Sequence, residues 1–298
     1  MTPAPVTVLG AGGFIGGHLV RHLQRLGIPC FAPLRGDPSV FRRPLGHVVY
    51  AIGLTADFRS RPLDTVEAHV CLLRRLLAQG DYDSLTYLSS SRVYAGADSG
   101  LETAVLRADP QQPGDLYNLS KLMGESMCLH AGRKPAKVAR LSNIVGLRPD
   151  ADIFIDQLLA EGSATGRVVL RTAMASRKDY LYVDDAVAAL AQLALADTHG
   201  IYNLASGEAV PNSAIAQALR RHLGIEVVET ANAPVWDFVP VATDKLRALL
   251  PFAPRRFDDY FPDYLALYRQ TRMGAGTAST PAVAPAAGPL PEGPAWRT

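Results

Sequence analysis

Cysteine is scarce in this 298-residue chain, and so is any excess of charge of one sign. Cys30, Cys71 and Cys128 are widely spaced, with no C-x-x-C pair and no histidine cluster beside them. That excludes a disulfide framework and predicts no metal site. Cys30 and Cys71 fall in apolar runs and read as small packing residues. The 30 Lys and Arg against 28 Asp and Glu leave a formal net charge of +2. So even a balance makes no electrostatic case for nucleic acid or an anionic membrane, and any anionic ligand must be held by a local site. Nor does any apolar stretch approach the roughly 18 residues of a membrane span. The opening, Met1 to Phe14, has no cationic region before its apolar run and leads directly into a glycine turn. It reads as a first strand rather than a secretion signal. A soluble, cytoplasmic protein is expected.

What is present is a rhythm of short β-branched runs alternating with helical patterns. Strands are predicted at Val6 to Leu9, Cys30 to Leu34, His47 to Ile52, Leu85 to Ser89 and Lys137 to Leu141. Helices are predicted at Gly13 to Leu26, along Val66, Val70, Leu73 and Leu77 with one buried face, and at Gly114 to His130. This alternation implies βαβ units and a parallel sheet covered on both faces, the doubly wound Rossmann type of α/β fold. After Gly146 the rhythm breaks. Helix is expected at Ile153 to Glu161, and extended chain at Val168 to Leu170 and Tyr180 to Val183. An alanine-rich helix follows at Asp184 to Ala196, capped by Asp184 or Asp185, and Ile201 to Leu204 returns to the sheet. The expected division is a dinucleotide-binding domain over 1–146 and about 179–205, with a smaller, mostly helical substrate lobe over 147–178 and 206–273. The last stretch, 274–298, holds five Pro, four Gly and seven Ala with one acid and one base, and is expected to be a disordered tail.

Gly10-Ala11-Gly12-Gly13-Phe14-Ile15-Gly16 sits where the first strand meets the first helix. Gly10 permits a tight turn, Gly13 lets backbone approach a pyrophosphate, and Gly16 lets the helix lie close to the strand. A glycine loop at a first βα junction points to a dinucleotide. The end of the second strand reads Leu34-Arg35-Gly36-Asp37. Arg35 there suits the 2′-phosphate of NADP, whereas Asp37 on the ribose hydroxyls would indicate NAD; NADP is favoured.

Tyr117 and Lys121 stand four apart on a predicted helix, hence on one face. An ammonium beside the phenol is expected to pull its pKa below the usual value of about 10, making it a proton donor and acceptor near neutral pH. Ser89-Ser90-Ser91 ends the fourth strand, where an open α/β sheet places its ligand crevice. A serine hydroxyl there can polarise a substrate oxygen beside the phenol.

Taken in order, these segments resemble the extended short-chain dehydrogenase/reductase family, the NAD-dependent epimerase/dehydratase group. Gly10, Gly13 and Gly16 match its G-x-x-G-x-x-G loop, Ser89 to Tyr94 its S-S-x-x-V-Y segment, and Tyr117 with Lys121 its Y-x-x-x-K. Arg140 to Gly146 resembles R-x-x-N-x-x-G, Lys178 to Asp185 resembles R-D-[FY]-[IVL]-[YH]-V-D-D, and Tyr202 to Gly207 resembles Y-N-[IL]-x-[ST]-G. The resemblance implies Ser90, Tyr117 and Lys121 as the catalytic set, with Ser91 as the fallback for Ser90. It implies a cofactor site of Gly10, Gly13, Phe14, Ile15, Gly16, Arg35, Gly53, Tyr117 and Lys121, with Lys121 on the nicotinamide ribose. Asn143, Arg177 and Lys178 are the implied substrate contacts, and a homodimer through the helices near Leu63 to Ala78 and Gly114 to His130 is implied too.

Two departures narrow the reading. Family 4,6-dehydratases follow the catalytic Thr with Asp and Glu, where this chain has Ser91 and Arg92. The second cation expected near Val235 to Pro240 is missing, which weakens a standard nucleotide-diphosphate grip. The expected activity is therefore a nucleotide-sugar 4-ketoreductase or epimerase using NADP or NAD. A carbonyl reductase acting on a non-nucleotide substrate is the alternative, and a cofactor-binding sensor without turnover is a third.

Overall fold

The computed structural model describes residues 5–55, 58–131, 134–148 and 153–273. The expectation for the tail at 274–298 lies outside them. In chain order the elements of the first half are β1 (Val6–Leu9), α1 (Phe14–Arg25), β2 (Cys30–Phe31), β3 (His47–Tyr50), α2 (Pro62–Val66), α3 (Leu72–Gln79), β4 (Ser84–Ser90), α4 (Asp115–His130) and β5 (Ala136–Leu141). The second half adds β6 (Asn143–Val145), α5 (Phe154–Thr165), β7 (Arg167–Leu170), β8 (Arg177–Tyr182), α6 (Val183–Leu195), β9 (Gly200–Leu204), β10 (Ala209–Pro211), α7 (Asn212–Leu223), β11 (Glu226–Glu229), α8 (Asp244–Leu249) and α9 (Phe257–Tyr268).

Six strands make the main sheet, ordered β2-β1-β3-β4-β5-β9, and every neighbouring pair is parallel. Alternate residues of each strand serve opposite faces. Val6, Val8 and Val49 meet Leu19 and Leu23 of α1 and Val187 and Leu190 of α6 on one side. Leu9, Val48 and Tyr50 meet Leu73, Leu76 and Leu77 of α3 on the other. Leu19 and Leu23 are wholly buried, and each contributes about 1.5–3 kcal/mol of apolar burial. Strands buried on both faces explain why they read as unbroken hydrophobic runs. This is the Rossmann-type parallel sheet that the sequence predicts.

The chain steps outward from β1 to β2, then crosses back to place β3 on β1's other side. That reversal opens a crevice at the carboxyl ends of β1 and β3, where ligands of open α/β sheets bind. The second strand is shorter than the expected Cys30 to Leu34. Only Cys30 and Phe31 pair with β1, because the chain turns at Arg35 and Gly36, the glycine at φ +80°. The link 32–46 holds one 3₁₀ turn, Pro38–Phe41, and no further strand, so β2 forms the sheet's edge.

The lobe is built around Leu158 and Leu159 of α5, Ile215 and Leu219 of α7, and Phe257 and Phe261 of α9. Two small sheets join these helices, β10-β8-β6 and β11-β7. Two local expectations need correction. The alanine-rich helix starts at Val183 with Tyr182 as its cap residue, so Asp184 and Asp185 lie in its first turn and cap nothing. There they still favour the positive end of the helix dipole, and Asp185 holds Arg255 at 2.9 Å. The helix through Val66 to Leu77 is also not uniform, since Glu67–Cys71 opens into a π turn between α2 and α3. Among the described residues no helix is long and apolar enough to cross a membrane.

Candidate active site

Geometry closes two positions of the glycine loop, Gly10 and Gly16, to side chains. Gly10 has φ +89°, and a Cβ there would lie 2.7 Å from the Ala51 carbonyl carbon. A Cβ on Gly16 would come within 2.8 Å of the Gly10 carbonyl carbon, and Gly13 N–H donates to Gly10 O at 2.9 Å. α1 begins at Phe14 with no side-chain cap. Its first-turn N–H groups thus face the crevice with the positive end of the helix dipole, a cradle that fits a pyrophosphate. Phe14 and Ile15 line the cleft beside it, with the Arg148 guanidinium 3.9 Å above the Phe14 ring. Gly53 follows β3, and a Cβ on it would stand 3.0 Å from His69 Nε2 and 3.4 Å from Lys121 Nζ.

The turn after β2 presents Arg35 to solvent, with no ion pair to any described residue. Its rival Asp37 is engaged. Its Oδ1 accepts the Ser39 N–H at 2.8 Å as cap of the 3₁₀ turn, and that bond holds the carboxyl below its ordinary value.

Ser90 ends β4, its Oγ accepts the Arg92 N–H at 3.2 Å, and its hydroxyl stands close enough to the Tyr117 phenol to draw that group's pKa down. Tyr117 and Lys121 rise one turn apart from α4 into the same cleft, each only 5% exposed. Lys121 Nζ donates to Leu88 O at 2.8 Å and stands 5.9 Å from the centre of the Tyr117 ring. Burial pushes the ammonium down to about 7, against the opposing pull of Glu125. Burial also raises the Tyr117 phenol, and the hydrogen bonds of Ser90 and Thr55 and the charge of Arg92 only partly draw it back. This corrects the expectation of a phenol depressed by Lys121. Desolvation outweighs the charges, and the guanidinium acting on the phenol is that of Arg92.

His69 carries a link that the sequence did not disclose. It is wholly buried in the π turn, edge-on to Tyr117 at 5.3 Å. Its Nε2 accepts the Leu54 N–H at 3.3 Å, which leaves the ring proton on Nδ1. Nδ1–H then donates to Ser120 Oγ at 2.8 Å, and Ser120 Oγ–H to Tyr117 O at 2.8 Å. Burial drives the imidazole down to about 2, so it stays neutral and the relay keeps one direction. A histidine on the apolar stripe of Val66, Val70 and Leu73 was the available signal.

On the lobe side, Asn143 lines the cleft and donates Nδ2–H to Asp179 O at 2.8 Å. Lys178 Nζ lies 4.6 Å from the Phe154 ring centre and 5.9 Å from that of Trp236. Burial and the charge of Arg92 lower it to about 8. Arg177 does not join them. As the next residue on β8 it points to the opposite face, exposed and outside the cleft. The segment Val235 to Pro240, which lacks the expected cation, supplies Trp236 and Phe238 as an apolar wall. The cleft encloses about 520 Å³.

A Rossmann-type sheet, a glycine cradle and a buried tyrosine–lysine pair beside a serine together define a dinucleotide-binding protein of the short-chain dehydrogenase/reductase kind. The sequence model of the NAD dependent epimerase/dehydratase family matches residues 6–205, and the chain belongs to that family. No curated protein matches it. Among solved structures it is similar to MoeE5 in complex with UDP-glucose and NAD, with 21% identity over 91% of this chain and 99% of that one, TM-score 0.73. It is similar to RMD from Pseudomonas aeruginosa complexed with NADPH, with 20% identity over 90% and 100% of the two chains, TM-score 0.73. It also resembles the UDP-glucose 4-epimerase of Thermotoga maritima with UDP-glucose, with 17% identity over 90% and 99%, TM-score 0.75. These likenesses establish the shared fold.

Proposed function

We propose that this chain is a nicotinamide-dependent oxidoreductase acting on a sugar hydroxyl or ketone of a nucleotide sugar, as a 4-ketoreductase or an epimerase. The observation that carries the reading is the Tyr117 phenol, beside Ser90, one turn from Lys121 and facing the same cleft as the glycine cradle. A nicotinamide, when bound, supplies or accepts hydride at the substrate carbon. Tyr117 gives the proton to the substrate oxygen in reduction and takes it from the hydroxyl in oxidation. Ser90 orients that oxygen, and Lys121 holds the ribose. A raised phenol pKa keeps Tyr117 protonated at neutral pH, the form that donates to the substrate oxygen. Lys178 and Asn143 hold the substrate against the lobe of 147–178 and 206–273. Nucleotide-sugar enzymes among the similar structures support the substrate class. An apolar wall at Trp236 and Phe238 keeps the second reading open, a carbonyl reductase for a non-nucleotide substrate. The protein is proposed to work as a cytoplasmic homodimer through α2, α3 and α4.

Arg35, exposed and without an ion pair among the described residues while Asp37 is engaged as a cap, favours NADP. A charge-assisted bond to a 2′-phosphate contributes about 1.5–3 kcal/mol, so NADPH is expected to bind about ten- to a hundredfold more tightly than NADH. Arg35→Ala is expected to remove most of that preference, and Asp37→Ala to leave it. Cofactor titrations of the three proteins, with mass spectrometry of co-purifying nucleotide sugars, test the reading. A wild-type preference for NADH overturns the NADP assignment and favours the epimerase over the reductase.

A further inference from the structure

Arg92 follows the catalytic strand end by two residues, and its guanidinium lies 5.9 Å from the centre of the Tyr117 ring and 5.3 Å from that of Phe58. Among the described residues its one direct hydrogen bond through the guanidinium is long, Nη2 to Gly114 O at 3.4 Å. The Nε is buried with no acceptor among the described residues. Asp115, whose charge acts on Arg92, and Asp179, which lines the same cleft, are both already engaged. Asp115 accepts the Asp109 N–H at 2.9 Å and the Asn118 amide at 3.0 Å, and Asp179 accepts the N–H groups of Ser206 and Gly207 at 2.9 and 2.7 Å. Lys178, across the same cleft, meets aromatic rings and, among the described residues, no carboxylate. The cleft is thus lined by the cations Arg92, Lys121, Arg148 and Lys178, and among the described residues Arg92 and Lys178 form no ion pair.

A partly desolvated guanidinium without an anion is unfavourable, and an incoming anion relieves that cost through two parallel charge-assisted bonds. The planar fork of arginine matches a carboxylate in this way, where a lysine offers only a point charge. Position decides which anion. Tyr117 marks the carbon whose oxygen exchanges a proton, and Arg92 flanks Tyr117. In a nucleotide sugar the diphosphate is attached at the anomeric carbon, across the ring from a reacting C4. An anion beside Tyr117 therefore belongs to the sugar, and the substituent adjacent to C4 is the one carried on C5. Resting on the nucleotide-sugar reading above, we propose that Arg92 makes this site selective for a sugar bearing a carboxylate next to the reacting carbon, a uronate, while Lys178 faces the diphosphate.

Matched pairs test this by calorimetric titration of the full chain with its nicotinamide cofactor. The pairs are UDP-glucuronate against UDP-glucose and GDP-mannuronate against GDP-mannose. In at least one pair the wild-type protein is expected to bind the acid at least about tenfold more tightly. Arg92→Gln is expected to bring the two members within about threefold of each other, and Arg92→Lys to keep part of the difference. A wild-type difference below about threefold in both pairs overturns the inference without need of any variant, and leaves the nucleotide-sugar reading standing. Equal weakening of both members in Arg92→Gln also overturns it, since Arg92 would then serve the common part of the ligand. Failure of all four sugars to bind removes the nucleotide-sugar reading and this inference together.

Discussion

Tyr117 illustrates how much and how little a spacing conveys. A tyrosine and a lysine four positions apart share a helix face, and the structure puts both side chains in one cleft. What the spacing did not convey is the electrostatic balance, because burial is a property of the folded neighbourhood. The phenol is raised rather than lowered. Tyr117→Phe is expected to reduce turnover by a factor on the order of 10² or more, the usual scale of positioned acid–base catalysis. Steady-state kinetics on the identified substrate measure this, and near-wild-type turnover removes Tyr117 from the chemistry. The ultraviolet difference between wild-type and Tyr117→Phe apoprotein is expected to titrate above the ordinary tyrosine value. A midpoint below it contradicts the buried phenol. His69 and Arg92 stayed unread for the same reason as the balance. Their partners Ser120, Leu54 and Phe58 are distant in sequence or off their helix face, so no local pattern joins them.

Secondary elements with long apolar runs were legible, and short ones were not. β1, β3, β4 and β5 are buried on both faces and announce themselves by composition. β10, with three residues, and β11, with four and half-exposed, carry no period long enough to read. The helix over Val183 to Leu195 was found, but its cap was misplaced because Asp184 and Asp185 suit a first turn as well as a cap. Side chains of α4, β4 and β5 are also tied by a buried charge network that no motif shows. Arg140 bonds both oxygens of Glu125 and the Tyr94 hydroxyl, Ser89 donates to Glu125 at 2.5 Å, and Tyr94 donates to Asn203 at 2.8 Å. Removing one partner strands the other charge in the core. Arg140→Met is expected to lower the unfolding free energy by about 3–5 kcal/mol in urea titrations. A loss below about 1 kcal/mol would show that the network contributes little to stability.

For the molecule as a whole, several buried bases act in the same direction with pH. Burial pushes Lys121 down to about 7, and Lys137 and Lys178 down to about 8, against 10.5 for a free lysine. Between those values the unfolded chain binds protons that the folded chain does not, so stability rises with pH. His69, near 2 in the fold against 6.5, gives the same sign at acid pH. Above about 10 the trend reverses, because Tyr50, Tyr260 and Tyr264 are held protonated by burial while unfolded tyrosines ionise. The urea midpoint of the apoprotein is therefore expected to rise from pH 5 through 7 to 9. A flat or falling course from 7 to 9 contradicts the three buried lysines. The lobe's interleaving with the sheet has a further outcome, in the order of biosynthesis. Its core joins Ile155 to Tyr264 and Leu265, while Leu246 and Phe252 pack back onto the sheet's first layer. A ribosome must thus release almost the whole described chain before either core can close. The nascent protein waits with apolar faces uncovered, and contacts so distant in sequence make its folding slow.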